Sequence, residues 1–193
     1  YTIEKKEGKL KITESTTDLT VTLKSKSYVY DGMDHALPEE ATTNAVGGTT
    51  KIEYSKDGST WVTDLSTLSA KDVSDSCEIS VRASNPNYAN TAASSAQLEI
   101  TPRAVTLTSE TASKPYDGTA LTKPDVTGWE QTSDTGFVTG EVSGVTATGS
   151  VTTVTEGEVT NTIVYTEETG FKADNYTIEK KEGKLKITES TTD

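Results

Sequence analysis

The sequence predicts an all-β chain built as two tandem antiparallel immunoglobulin-like β-sandwich domains in an elongated rod. Three observations point there. Apolar residues make up only 32% and mean hydropathy is −0.53, too lean in Leu, Phe and Met for a helical core. The abundant Thr, Val, Ile and Tyr suit strands with one face packed and one face wet. Short segments alternate apolar and polar residues, with Gly, Asn and Asp turn signals between them. Residues 1–18 recur letter for letter at 176–193, a period of 175 residues, which has room for two domains of roughly 85–90 residues. A β-grasp-like sheet is the alternative, and it would need a crossover helix for which no segment carries a helical stripe.

Element by element, Leu19, Val21 and Leu23 share one parity against Thr20, Thr22 and Lys24, the pattern of a half-buried strand. Tyr54 and Trp61 flank Ser-Lys-Asp-Gly-Ser-Thr, a hairpin with an Asp-Gly turn. A short turn of helix fits near Leu65–Asp72. Cys77, Ile79, Val81 and Ala83 form the apolar face of a further strand. Between Gly136 and Gly170 the period blurs. Residues 176–187 read as a closing hairpin with Gly183 at its turn.

A fainter repeat lies inside the long one. Leu10-Lys11-Ile12-Thr13, Val21-Thr22-Leu23-Lys24-Ser25 and Tyr30-Asp31-Gly32 are matched by Leu98-Glu99-Ile100-Thr101, Val105-Thr106-Leu107-Thr108-Ser109 and Tyr116-Asp117-Gly118. Asn87-Tyr88 and Asn175-Tyr176 precede the two closing strands. The expected organisation is an overlap copy of the preceding repeat's closing hairpin and linker at 1–18, a first β-domain at 19–102, and a second with its C-terminal linker at 103–193. The link from Ile100 to Val105 is short and carries Pro102, whereas Ile12 to Val21 is longer, so one joint per period should be tight and the other looser. An isolated two-stranded hairpin is marginal in water. Tyr1, Ile3, Leu10 and Ile12 are therefore expected to dock, on the first domain or on a neighbouring molecule as a donated strand.

The net charge of −12 argues against nucleic acid, whose phosphates need clustered Lys and Arg. No apolar run reaches membrane-spanning length, so no membrane insertion is expected in this segment. The chain shows no signal peptide and no initial Met and reads as an excerpt of something longer. With Cys77 as the one cysteine, no intrachain disulfide can form.

Chemistry-bearing residues are sparse. His35 is the sole histidine, so neither a triad nor a multi-histidine metal site can be assembled, and it reads as an ordinary loop residue beside Asp34. Cys77 reads as a small buried hydrophobe. The two Tyr-Asp-Gly motifs lack the dense oxygen ladder of a calcium loop and read as turns. Trp61, Tyr54, Tyr28, Trp129 and Tyr165 are needed for the cores, Trp129 being the best candidate for a sugar-stacking surface. An isopeptide bond between Lys24 or Lys26 and Asn85, Asn87 or Asn90 is conceivable. No catalytic or metal residues and no cofactor are assigned, and no ligand-binding residue is named.

Lys114-Pro115-Tyr116-Asp117-Gly118-Thr119-Ala120-Leu121, set between Val105–Ser109 and Asn175-Tyr176-Thr177-Ile178, resembles the MBG/YDG-type repeats of large bacterial surface proteins. Tyr30-Asp31-Gly32, Tyr54–Trp61 and Ala83–Tyr88 are similar to another branch of that class. The resemblance implies an extracellular, adhesin-like protein of the bacterial cell surface or cell wall, without catalytic residues. The expected role is a tandem-repeat module acting as a stalk or spacer that projects an adhesive region, its partners the neighbouring repeats. The alternative is a repeat that binds host glycans or mucin through multivalency.

Overall fold

The computed structural model describes residues 1–190; positions 191–193, the end of the expected C-terminal linker, lie outside the described residues. The chain is all-β, and helical geometry among the described residues is confined to 3-10 turns at Leu65–Thr67, Val73–Asp75, Val154–Glu156 and Ala173–Asn175. Two compact units are formed. The first takes residues 1–27, 35–70 and 76–99; the second takes 28–34, 71–75 and the chain from Ile100 onward. These units do not follow the expected division at 19–102 and 103–193, because the second gathers two segments that the internal repeat places in the first domain.

In the first unit the strands are β1 (Val21–Thr22), β2 (Lys26–Val29), β3 (Thr42–Thr43), β4 (Lys51–Ser55), β5 (Cys77–Ser84) and β6 (Ala92–Thr101). β2 and β6 run past the boundary, so their last two residues count with the second unit. One sheet has the order β2-β6-β5-β4, with β4, β5 and β6 antiparallel, and β1 pairs antiparallel with β3. The alternation read in the sequence is obeyed: Leu19, Val21 and Leu23 are buried, as are Ile79, Val81 and Ala83. The Asp-Gly hairpin closes through reciprocal bonds between Tyr54 and Val62. Its turn is held by Asp57, whose Oδ1 accepts from the Ser59 and Thr60 N–H groups at 2.7 Å.

The opening strand of this unit is fastened largely by side chains. Asn90 accepts from Leu19 N at 2.8 Å and donates to Leu19 O at 3.0 Å. Asn44 accepts from Thr20 N at 2.8 Å and donates to Asp18 O at 2.9 Å. Two amide side chains thus copy the donor–acceptor pair that a neighbouring strand would present, leaving those backbone groups satisfied where the ladder lapses.

In the second unit the strands are β7 (Arg103–Ser109), β8 (Ala112–Pro115), β9 (Leu121–Thr122), β10 (Val126–Thr127), β11 (Val142–Ala147), β12 (Ser150–Val151), β13 (Glu158–Asn161), β14 (Ile163–Glu167), β15 (Tyr176–Lys181) and β16 (Gly183–Thr188). They form sheets β10-β7-β15, β13-β16-β8, β11-β14 and β12-β9. Leu121, Val151, Leu185 and Ile187 close one core between β9/β12 and β16, with Ala112 and Val159 at its margin.

The opening and closing strands of this unit are neighbours and run parallel. Arg103 stands opposite Tyr176 and Thr108 opposite Lys181; after a short break, Ala112 stands opposite Leu185 and Pro115 opposite Thr188. The offset is 73 residues throughout, so β7–β8 and β15–β16 are one parallel pair that changes sheets midway. The expected purely antiparallel pairing is therefore corrected to a mixed one.

The closing hairpin expected at 176–187 is also corrected: β15 and β16 run on in one direction, and Gly183 is buried within the run. A Cβ there would meet the Glu110 carbonyl oxygen at 2.1 Å, so this glycine serves close backbone approach instead of a turn. At the break, Ser109 Oγ donates to Asn161 O at 2.6 Å and accepts from Gly183 N at 3.0 Å. The Asn161 amide donates to Glu110 O and Lys123 O and accepts from Gly149 N.

The N-terminal copy of the same sequence behaves differently. Residues 1–14 form no strand and are exposed, with Leu10 and Ile12 at 104% and 98% exposure where Leu185 and Ile187 are at 0%. The expected docking of this segment on the first domain is not formed. The chain joins the first unit only at Ser15, which bridges Tyr88 in parallel, its N–H donating to Asn87 O at 2.7 Å. The Ser15–Tyr88 bridge repeats the 73-residue offset of Arg103 and Tyr176. Ser15 and Arg103 are thus equivalent first residues. Pro102 alone separates Arg103 from the end of β6 at Thr101, and Glu14 alone separates Ser15 from Thr13, the sequence counterpart of Thr188 at the end of β16. By this correspondence the spacing from closing to opening strand is the same in the two places. The longer Ile12–Val21 interval belongs to the irregular opening strand of the first unit.

Candidate functional site

The densest constellation of polar and aromatic side chains lies in the second unit, around Glu141. This carboxylate is 8% exposed. It accepts hydrogen bonds from the Tyr30 hydroxyl at 2.5 Å and the Tyr176 hydroxyl at 2.6 Å. The Tyr176 hydroxyl in turn accepts from Val138 N at 3.0 Å. The two phenol rings meet edge to face at 5.5 Å, Phe171 stacks on Tyr176 at 5.5 Å, and Phe137 packs edge-on at 5.2 Å. Burial first, and then the bond to Glu141, push both phenols well above their ordinary range. They are held as donors, and the carboxylate as acceptor.

Beside this cluster Arg103 is 1% exposed. Its guanidinium is held by backbone carbonyls: Nε on Gly136 O at 2.8 Å, Nη1 on Tyr30 O and Ser133 O at 3.1 and 3.3 Å, and Nη2 on Thr132 O and Thr135 O at 2.5 and 2.9 Å. The planar fork offers five N–H groups in fixed directions, and here it shapes the 132–136 loop around itself. A third group ties in residues 71–75. Asp72 pairs with Lys172 and accepts from the Asn175 amide at 2.8 Å, while Asn175 Oδ1 accepts from Val73 N at 2.9 Å. The Lys172 bond first, and then that of Asn175, hold the Asp72 carboxyl below its usual range against the opposing effect of burial. These polar groups are mutually satisfied, and the arrangement fastens segments together.

The residues singled out in the sequence are scattered. His35 is half-buried in an antiparallel bridge with Ala70. Cys77 is half-buried at the start of β5. Lys24 pairs with Glu39 at 2.6 Å, Asn85 donates to Gly47 O and Thr50 Oγ1, and Asn90 serves Leu19, so these three of the five conceivable isopeptide partners are engaged elsewhere. Asp31 Oδ1 accepts from Met33 N, and Asp117 Oδ1 from Thr119 N and Lys114 Nζ; both motif aspartates close local turns. Among the described residues no group of three or more His, Cys, Asp or Glu could hold a metal ion.

The aromatic residues divide. Tyr54 is core, its hydroxyl accepting from Ala41 N, and Tyr165 packs on Phe137 at 5.2 Å. Trp61 lies in an open slot of about 460 Å³ on β4–β6, with the Arg82 guanidinium 4.1 Å above its ring. Half-buried Trp129 lines a cleft of about 420 Å³ with Gln131, Val138 and Thr139. Sequence reasoning missed Glu141 and Arg103. Arg103 had a signal, since it shares the buried parity of Val105, Leu107 and Ser109; Glu141, in the blurred stretch after Gly140, had none.

Compared with protein-family models, with curated proteins and with solved structures, the chain matches none.

Proposed function

We propose that the chain is one period of a tandem array that serves as a stalk or spacer of a bacterial surface protein, each period holding two immunoglobulin-like sandwiches. The observation that carries this reading is the parallel pairing of opening and closing strands at constant offset. In an array, tension enters at the first residue of one strand and leaves at the last residue of its parallel neighbour. Every hydrogen bond between them is then loaded in shear together, and none is peeled first. The repeated 18 residues support the array, and the resemblance of the Tyr-Asp-Gly segments supports the surface location. The reading assigns no catalysis to the chain. Among the described residues no helix is long and apolar enough to cross a membrane.

The test is to pull the second unit in two directions. Attachment at positions 103 and 188 shears the pair, whereas attachment at 103 and 176 unzips it. A clearly higher unfolding force in the first geometry, at one loading rate, is the expected result; equal forces would remove the mechanical argument. Binding to a glycan or mucin array by the chain would instead favour the ligand-binding alternative.

A further inference from the structure

The second unit shows how a Tyr-Asp-Gly motif can be received. Tyr30 is 1% exposed, its hydroxyl on Glu141 and its ring against Tyr176. A Cβ on Gly32 would lie 3.0 Å from Val138 Cγ1. The seat therefore consists of Glu141, Val138 and the Asn175-Tyr176 pair, beside the point where Arg103 begins the opening strand.

The first unit repeats the Val–Tyr hydrogen bond and the opening-strand bridge of that framework, with the seat open and no carboxylate in its lining. Val46 N donates to the Tyr88 hydroxyl at 3.0 Å, as Val138 N does to that of Tyr176. Ser15 bridges Tyr88 as Arg103 pairs with Tyr176. Here the space between them is an open crevice of about 540 Å³ lined by Ile12, Thr13, Ser15, Val46, Asn87 and Tyr88, and Val46 is 80% exposed.

The other Tyr-Asp-Gly motif is unreceived. Tyr116 is 47% exposed and a Cβ on Gly118 would meet nothing within 4 Å. Its attachment nevertheless copies that of the first: Tyr30 N donates to Thr101 O at 2.9 Å and Tyr116 N to Thr188 O at 2.9 Å. Gly32 and Gly118 share φ +80°.

We propose that Tyr116-Asp117-Gly118 docks in the Val46–Tyr88 crevice of the following copy of this chain. The occupant is set by the repeat itself. Thr188, which holds Tyr116, corresponds in the repeated sequence to Thr13, which lines the crevice. Two residues beyond, Ser190 corresponds to Ser15, the residue that joins the receiving unit. In an array these are the same residues, so the motif and its seat are fastened to one short stretch of backbone. The proposal rests on the array reading above.

The experiment compares two positions within one protein. Two copies are joined through the shared 18 residues in a Cys77→Ala background, and Val46→Cys is placed in either copy. Thiol labelling is expected to be fast in the first copy, where no motif precedes the crevice, and roughly tenfold slower in the second, as for a site opened only by local fluctuation. Tyr116→Ala in the first copy should restore fast labelling of the second. The single chain carrying Tyr116→Ala serves as the folding control, judged by its denaturation midpoint. Equal rates in the two copies, or protection that survives Tyr116→Ala, overturns the proposal. Glycan binding by the repeats would overturn the spacer role and leave this labelling pattern unchanged.

Discussion

Gly8 and Gly183 hold the same place in two copies of one sequence, yet a Cβ would meet nothing within 4 Å at Gly8 and the Glu110 carbonyl oxygen at 2.1 Å at Gly183. The difference is a direct report of whether the closing strands are in place. Gly183→Ala must push β7–β8 and β15–β16 apart at their crossover and is expected to destabilise the second unit by more than about 2 kcal/mol. Gly8→Ala should stay within about 0.5 kcal/mol. Urea denaturation of the two variants makes the comparison; equal effects would mean that Gly183 is not in close approach.

Arg103 should resist conservative replacement. Lysine carries the charge but not the planar fork, and cannot reach five carbonyls in the directions that Nε, Nη1 and Nη2 serve. Arg103→Lys is expected to cost about 2–3 kcal/mol, since hydrogen bonds to charged groups are worth ~1.5–3 kcal/mol each and only part are recovered. Loss of amide protection across residues 132–136 in hydrogen exchange would accompany it. Retained protection would show that the loop holds its shape unaided.

Raised phenol pKa values have a signed consequence. Tyr30 and Tyr176 release their protons at higher pH folded than unfolded. Their contribution is complete below the ordinary value of 10.0 and falls as pH rises beyond it, because the unfolded chain then binds fewer protons. The second unit should therefore lose stability above about pH 10, and Tyr30→Phe should flatten that loss. With Trp61→Phe leaving Trp129 as the reporter, fluorescence denaturation between pH 8 and pH 11 reads the unit separately; an unchanged slope in Tyr30→Phe would contradict the assignment.

At the acid end Asp72 acts in the opposite sense. Its folded pKa lies below the ordinary 3.8, so the stability it adds is present above that value and disappears as pH falls through the lower folded one. Asp72→Asn keeps the Asn175 contact in part and loses the Lys172 pair. It should lower stability at pH 7 and weaken the dependence between about pH 5 and pH 2, measured by thermal melts.

The Asn90 side chain stands in for a strand, and that makes a stringent case. Asn90→Asp keeps an acceptor for Leu19 N but replaces the donor to Leu19 O with a second oxygen. It should cost the first unit at least as much as Asn90→Ala, about 1–3 kcal/mol. A harmless Asn90→Asp would show that water serves Leu19 equally well.

Strand alternation at Leu19–Leu23 and Cys77–Ala83, the Asp-Gly hairpin after Tyr54 and the helical turn at Leu65 were legible because each depends on residues close in sequence. The run Lys180-Lys181-Glu182-Gly183-Lys184 misled for the same reason. A glycine among charges looks like a turn, and its true determinant is the Glu110 carbonyl, supplied by a partner strand that no local period announces. The blurred stretch around Glu141 stayed unread because a buried acid has no pattern of its own; it is legible only once Tyr30 and Tyr176 stand beside it.

By itself the sequence determined the all-β class, the 175-residue period, the internal pairing of Tyr-Asp-Gly and Asn-Tyr motifs and the parity of the core strands. These follow from composition, identity and period-two burial, which are properties of the linear chain. Tertiary structure alone decided that opening and closing strands run parallel at an offset of 73 residues. It also decided that residues 28–34 and 71–75 join the second unit, and that one copy of an identical sequence forms two strands while the other forms none. A strand exists only where a partner supplies its hydrogen bonds and an apolar face to cover it. Residues 176–188 have both within reach in the second unit, and residues 1–13, identical in every letter, do not have them in the first.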